Sequence, residues 1–243
     1  MTSSLRDLKV YTTYPHRCSY LEGEEATTLF IDPRQSVDKT LYSNLSMLGF
    51  RRSGNHIYRP HCSHCNACIP ARIPVDDFRP NRNQRRCRSR NADLDVQVYK
   101  AMNDDESYAL YDRYIRERHA DGDMFPPDRD QFESFLNDPW GCTEYVQFRK
   151  DGRLVAVAVV DVMVDGLSAI YTFYDPAEDT RSLGRYAILW QVERCRSEGL
   201  PYVYLGYWIR NCRKMAYKAD YQPLEVLVNN QWQRSTEGLI ESF

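Results

Sequence analysis

The sequence predicts a mixed α+β fold with a mixed sheet, in two parts: a smaller N-terminal α/β region over residues 1–100 and a sheet-bearing region over residues 101–243. Three observations carry that prediction. The stretch EYVQFRKDGRLVAVAVVDVMVDGLSAIYTFYDP holds three strand-like runs separated by KDGR and VDGL, whose glycines Gly152 and Gly166 suit hairpin turns. TRSLGRYAILWQVERCRSEG follows with Ile188, Leu189, Val192 and Cys195 as an apolar helical stripe, and LPYVYLGYW then reads as a buried strand. In the first part, HCSHCNACIP places Cys62, Cys65 and Cys68 three apart, which is the spacing of metal ligands.

The elements follow in order. SVDKTLYSNLSMLGF has Val37, Leu41, Leu45 and Leu48 at helical spacing, and Gly49 stops the helix. HIYRP and ARIPV are short strands flanking the cysteines, and DLDVQVY alternates as a strand. NDDESYALYDRYIRERH is a helix with acids in its first turn and Tyr108, Tyr111 and Ile115 on one face. QFESFLND is a shorter helix. After the three hairpin-linked strands, Gly199 caps the apolar helix, NCRKMAYKADYQP is a short helix ending before Pro223, and LEVLV is a last strand. The second part therefore reads β-β-β-α-β-α-β. No linker composition marks the boundary near residue 100.

Composition narrows the function. With 243 residues, 42% apolar, the chain can bury a sizeable core, and a formal net charge of −2 excludes a globally basic nucleic-acid binder. No apolar run approaches a membrane-spanning length, and MTSSLRDLKVYTTYP lacks the apolar stretch of a signal peptide. A cytoplasmic protein without a membrane partner is expected, its eight cysteines reduced or ligating rather than paired as disulfides. Charge is uneven, however. RPNRNQRRCRSR (79–90) carries six arginines and no acid. It is either a solvated basic face or a phosphate contact, with Arg82, Arg85 and Arg86 as the candidates for the latter.

The order of the second part, with Arg-Ser-Leu-Gly-Arg-Tyr entering its central helix, resembles the acetyltransferase (GNAT) superfamily fold. There, free N–H groups at a helix N-terminus meet a phosphate. The motifs YTTYPHRCSYL, GFRRSGNHIYRPHCSHCNACIPARI, RRC, TFYDP, SLGRYAIL and YLGYWIRNCRKMAYKADYQP together resemble the aminoacyl-tRNA–protein transferases of the N-degron pathway, and among them the bacterial aspartate/glutamate leucyltransferases. The resemblance runs over residues 8–228. It implies transfer of leucine from leucyl-tRNA to proteins beginning with Asp or Glu, which marks them for degradation.

Such a transfer needs an amine held beside an ester, a path for a proton and a stabilised oxyanion. No nucleophilic side chain and no cofactor is required, because the amine attacks the activated ester directly. Asp175, at the end of TFYDP, is the candidate carboxylate for the proton; otherwise it is a turn residue before Pro176. Tyr174 and Tyr207 are candidates to orient the ester or donate to the leaving oxygen. Ser182, Gly184 and Tyr186, with Arg181 and Arg185, are candidates for the 3′ phosphates of charged tRNA. The acceptor carboxylate needs a cation, and Arg51, Arg52, Lys214 and Lys218 are the candidates, with Arg52 and Lys218 ranked first. Lys214 and Lys218, four apart on one expected helix, should share a face.

The related eukaryotic arginyltransferases carry four cysteines in this region, linked to iron–sulfur or haem chemistry. Here Cys18 stands in HRCSYL, and Leu21 occupies the position of that family's next cysteine. Cys18, Cys62, Cys65 and Cys68 could hold structural zinc or an iron–sulfur cluster, with His61, His64 and Cys87 as alternative ligands, or could pack as reduced thiols. Three rival functions remain open on sequence: an arginyl-tRNA–protein transferase, an acyl-CoA-dependent acyltransferase of the same fold, and a non-catalytic zinc-containing RNA-binding module.

Overall fold

The computed structural model describes residues 8–122, 124–136 and 140–236. The first seven residues of the start expected to be leaderless, and Asn137 and Asp138 of the expected QFESFLND helix, lie outside the described residues. The elements run β1 (Val10–Thr12), β2 (His16–Arg17), β3 (Glu25–Ala26), β4 (Thr28–Ile31), α1 (Lys39–Met47), β5 (Arg51–Ser53), β6 (His56–Pro60), β7 (Ile69–Pro74), α2 (Arg82–Arg90), β8 (Asp95–Tyr99), α3 (Asp105–Arg118) and α4 (Arg129–Leu136). They continue as β9 (Thr143–Lys150), β10 (Arg153–Val162), β11 (Gly166–Tyr174), α5 (Leu183–Glu198), β12 (Tyr202–Trp208), α6 (Arg213–Ala216), β13 (Glu225–Val228) and β14 (Gln231–Arg234). Short 3₁₀ turns precede α5 (Pro176–Arg181) and follow α6 (Tyr217–Asp220).

The helices start where their sequences provide caps. Asp38 accepts from the Leu41 N–H at 2.7 Å, Asp104 from the Ser107 N–H at 2.7 Å, and Asn81 and Gln84 form a reciprocal capping box on α2. That last helix departs from the sequence expectation, which sees only a charge stripe there. Gln84 and Cys87 face inward while Arg82, Arg85 and Arg86 stay exposed, so two inward side chains and a good cap suffice for it.

An eight-stranded mixed sheet, ordered β14-β13-β7-β12-β11-β10-β9-β8, organises the molecule. β10 is buried on both faces. Ala156, Ala158 and Val160 pack on the α5 side with Leu183, Ala187 and Val192, whereas Val157 and Val159 pack with Leu110, Tyr111, Ile115 and Phe132 of α3 and α4. The boundary near residue 100 falls inside this assembly. β7 and β8 come from the first part, and β7 lies between β12 and β13 of the second. A four-stranded sheet, β1-β4-β6-β5, and α1 cover one end, where Leu41, Tyr42, Leu45 and Ile57 pack with Met163 and Tyr204.

The two parts are also joined by a buried polar cluster. Arg52 forks onto Asp161 at 2.8 Å through both Nε and Nη2, and Tyr42 Oη donates to the same carboxylate at 2.7 Å. Arg52 Nη2 also donates to Thr143 Oγ1 at 2.9 Å. Both side chains of the ion pair are fully buried.

Candidate active site

The site begins at a fork in the sheet. β11 and β12 run parallel but pair only from Gly166 with Tyr202 to Ser168 with Tyr204. Beyond that point they part, with α5 packed against both. A cleft of about 740 Å³ opens there, between Ile170, Tyr171 and Tyr174 on one side and Leu205, Gly206 and Tyr207 on the other.

Arg51, from β5, fills the apex of the fork. Its Nη1 donates to Ser168 Oγ at 2.7 Å and its Nη2 to Ala169 O at 2.6 Å. Both partners are neutral, and Arg51 pairs with no carboxylate among the described residues. Gly206 makes room for it. The residue has φ +77°, after a register shift in β12 between Tyr204 and Gly206, and a Cβ there would lie 2.9 Å from Arg51 Nε. Arg185, Lys214 and Lys218 also line the cleft, and no Asp or Glu lines it among the described residues. Its wall includes apolar surface from Met124, Phe135 and Ile170.

The other three cations proposed for the acceptor carboxylate behave differently from one another. Arg52 is consumed by Asp161, so its rank as a leading candidate is corrected: a guanidinium already forked onto a buried carboxylate cannot recognise a second one. Lys214 and Lys218 both line the cleft, at very different burial. The helix breaks into a 3₁₀ turn at Tyr217, leaving Lys214 at the surface, 3.2 Å from Asp121, while Lys218 turns inward and is 6% exposed. Lys218 Nζ donates to Tyr207 O and lies 3.0 Å from Met215 Sδ. Burial, followed by the Arg51 charge, pushes its pKa down to about 7.

Two of the expected catalytic groups are committed elsewhere. Asp175 caps the 3₁₀ turn by accepting from the Ala177 N–H at 3.1 Å, and its carboxylate meets Arg153 at 2.5 Å and Arg113 at 3.2 Å. It is absent from the cleft wall, so it is a capping and ion-pairing residue rather than a proton acceptor there. Tyr207 Oη donates to Gly49 O at 2.8 Å, and burial raises its pKa well above the ordinary value. Its hydroxyl is thereby tied to the backbone and is not turned to a leaving oxygen. Tyr174 does line the cleft, with its ring 4.9 Å from that of Tyr114.

The residues expected to meet the 3′ phosphates separate in the structure. Ser182, in a left-handed conformation, starts α5 without a side-chain cap, and Gly184 and Arg185 face the cleft. Tyr186 packs on Phe148 instead, with ring centroids 5.5 Å apart. Arg181 is not available to a phosphate: it is 8% exposed and bonded to Asp93 at 2.8 and 2.9 Å and to Glu178 at 2.9 Å. The structure brings α2 against this turn. Cys87 Sγ contacts Arg181 O and Ser182 O, each at 3.6 Å, and Asn91 Nδ2 donates to Arg181 O at 2.9 Å. Exposed Arg82, Arg85 and Arg86 are therefore carried on the helix that braces the start of α5.

Two cleft residues escape the sequence reading. His119 and Tyr114 stand near the end of α3, with His119 Nε2 3.0 Å from Tyr114 Oη. Burial, and then the Lys214 charge, lower the His119 pKa. The only signal is a Tyr and a His in the last turns of a helix, which is ordinary helix chemistry.

Cys18, Cys62, Cys65 and Cys68 line a second cavity of about 840 Å³, which shares Tyr20, Tyr58 and Tyr207 with the cleft. All four thiols are free of disulfides. Burial, and then the neighbouring Cys18, Cys62 and Cys65, push the Cys68 thiol up to about 12. Among the described residues, however, no three His, Cys, Asp or Glu side chains are gathered closely enough to hold a metal ion. As placed here, the four thiols do not make a closed four-thiolate site. His61 and His64 are exposed, and Cys87 is buried on α2 beside α5, outside this cavity.

A profile described as arginine-tRNA-protein transferase, N terminus, matches residues 16–86, and its C-terminal counterpart matches residues 106–228. The chain belongs to the arginine-tRNA-protein transferase family. Within it, the chain is 59% identical over 230 residues to an aspartate/glutamate leucyltransferase of Pseudomonas fluorescens, covering 95% of this chain and 98% of that one. It is 60% identical over 232 residues to the Pseudomonas aeruginosa protein of the same name, with the same coverage. A Teredinibacter turnerae relative so named is 55% identical over 231 residues, 95% of each chain. Among solved structures, FemX aligns over 83% of this chain and 80% of its own, with 10% identity and a TM-score of 0.44. The N-terminal match ends within α2, at residue 86, and the C-terminal match begins within α3, at residue 106, so β8 lies between the two.

Proposed function

We propose that this protein transfers leucine from leucyl-tRNA to the N-terminal Asp or Glu of acceptor proteins, in the cytoplasm, as a mark for degradation. The observation that carries the reading is the charge of the cleft: it is lined by cations, with Arg51 at its apex, and by no carboxylate among the described residues. An arginyl donor would need an acid to receive its guanidinium, because a buried unpaired charge costs several kcal/mol. A leucyl side chain needs only apolar surface, which Met124, Phe135 and Ile170 supply. The acceptor brings a carboxylate beside its amine, and Arg51 is the cation to meet it.

In this reading, Arg51 anchors the acceptor carboxylate and so sets the α-amine near the ester. The α5 N-terminus and Arg185 receive the 3′ phosphates, and α2 extends the contact along the tRNA. The ester already carries the activation, so the residues bind, orient and move protons without a cofactor. One assay tests the whole reading. Leucyl-, arginyl- and phenylalanyl-tRNA, and acetyl-CoA, are each offered to peptides beginning with Asp, Glu, Lys or Arg. Transfer of leucine to the Asp and Glu peptides is expected. Transfer from arginyl-tRNA or acetyl-CoA in its place would replace the reading.

A further inference from the structure

We propose that Lys218 is the proton shuttle of the transfer, a neutral amine at the floor of the cleft rather than an anchor for the acceptor carboxylate. The inference rests on the transfer reading above and assigns the step that Asp175 cannot perform.

Geometry is the first support. Lys218 is nine-tenths buried, yet it lies in the wall of the cleft, on the same wall as Met215 and Tyr217. Its Nζ has two hydrogen-bond partners, Tyr207 O and Met215 Sδ, and forms no ion pair with a carboxylate among the described residues. A neutral primary amine has two N–H bonds and one lone pair. Two acceptors take the two N–H bonds and leave the lone pair for a proton arriving from the cleft. An ammonium there would carry a third N–H with no acceptor, buried beside a second cation.

The surroundings agree. The groups facing Lys218 are Arg51 from β5, Cys68 before β7, Cys212 ahead of α6 and the Tyr217 ring, 5.9 Å from Nζ. Arg51 is the cation among them, and its sign disfavours the ammonium. Burial acts in the same direction and is the larger effect. A lysine held near neutrality suits general base work close to the working pH.

The step balances. The acceptor's free amine adds to the ester carbonyl carbon, and as the C–N bond forms, its proton passes to Lys218 Nζ. As the bond from that carbon to the ribose oxygen breaks, Nζ returns the proton to the departing oxygen. Amine and ester become amide and alcohol, and Lys218 ends as it began.

The test compares Lys218→Met and Lys218→Arg with wild type on leucyl-tRNA and an Asp-peptide, and on the matching Asn-peptide. Both variants should lose ~100-fold or more in kcat/KM near pH 7, because Met carries no base and Arg stays protonated. Below pH 7, log kcat/KM should rise with pH at a slope of about two in wild type, from Lys218 and the acceptor amine together, and about one in Lys218→Met. The preference for Asp over Asn should survive. Activity in Lys218→Arg, an unchanged slope in Lys218→Met, or collapse of the Asp preference would each overturn the assignment. Should Lys218→Met not fold, carbon-13 NMR of labelled lysines in wild type decides instead. The resonance missing from Lys218→Arg should titrate near 7, and titration near that of a surface lysine overturns the proposal. Wild type that moves no leucine overturns the transfer reading itself, whereas working wild type with a variant of unchanged slope overturns only the role of Lys218.

Discussion

Arg51 and Gly206 occupy adjoining halves of one space. The guanidinium lies where a side chain on residue 206 would begin, with Nε and Cζ 2.9 and 3.0 Å from the position of its Cβ. A cation can reach the apex of the β11/β12 fork only because β12 is bare at that residue. Gly206→Ala should destabilise the fold by roughly 1–2 kcal/mol through its left-handed backbone alone. It should also displace Arg51 and lower kcat/KM for Asp-peptides by ~100-fold, since a misplacement of about 1 Å at a reacting site has that effect. Thermal unfolding and kinetics on the same preparation check it. Full activity in a folded Gly206→Ala protein would refute the coupling.

Arg51→Ala should narrow the gap between an Asp-peptide and its Asn-peptide twin. A loss of roughly 30-fold in kcat/KM is expected on the Asp-peptide, about 2 kcal/mol, with little change on the Asn-peptide. Binding of charged tRNA should survive. Equal losses on both peptides would show that Arg51 holds the cleft in shape without reading the acceptor.

Arg52→Ala should act on stability. Removing it strands the Asp161 carboxylate in the interior, at a cost of about 3–5 kcal/mol. Urea titration reads this directly. A change below about 1 kcal/mol would mean that Tyr42 and Thr143 suffice to hold Asp161.

Replacing Arg82, Arg85 and Arg86 with Ala should raise KM for charged tRNA. It should also make the salt dependence shallower, by about one in the logarithmic slope for each phosphate that is no longer neutralised. Peptide KM should be unaffected. The helix should persist, since its cap and inward residues are untouched. An unchanged tRNA KM in the folded triple variant would return the stripe to a solvated surface.

Glu144 supplies a pH dependence. Burial acts to raise its pKa, but Arg194 and Lys100, the latter at 2.6 Å, outweigh it and hold the carboxyl below its usual value. A depressed carboxylate stabilises the fold above the unfolded pKa of about 4.3 and loses that contribution as pH falls through the native value. Glu144→Gln should therefore be less stable than wild type near neutral pH, and the difference should shrink on acidification below about pH 4. A difference that is the same at both ends would leave the ion pairs without effect.

Local patterns make much of the fold legible. Alternation and turn glycines identify β9, β10 and β11, and apolar spacing identifies α1, α3 and α5. α2 is hidden because its mostly charged sequence turns just two buried residues, Gln84 and Cys87, inward. The site is legible as a set of residue types but not as a set of commitments. Arg52 and Arg51 are neighbours in sequence, and nothing local tells which one meets Asp161, a partner 109 positions away. Alternate strand residues point to opposite faces, so one arginine of the pair is spent on the core and the other reaches the cleft. Asp175 misleads because a residue that ends a strand beside a proline can equally cap the turn that follows. Lys218 reads as part of a surface helix because the switch to a 3₁₀ turn at Tyr217 carries no sequence mark.

The seat of β7 between β12 and β13 has a consequence for how the chain comes into being. Ile69–Pro74 emerges from the ribosome long before Tyr202–Trp208 and Glu225–Val228, the neighbours that complete its hydrogen bonds. Until they are synthesised, a largely apolar segment waits without a partner on either edge. Closing so long a loop is slow, because chain entropy must be lost before the contacts form. A nascent chain stopped near its middle would hold an orphan strand, and a fragment beginning after residue 100 would expose the edges of β12 and β13 that β7 covers, both templates for aggregation. Neither part of this enzyme is then a lesser version of the whole.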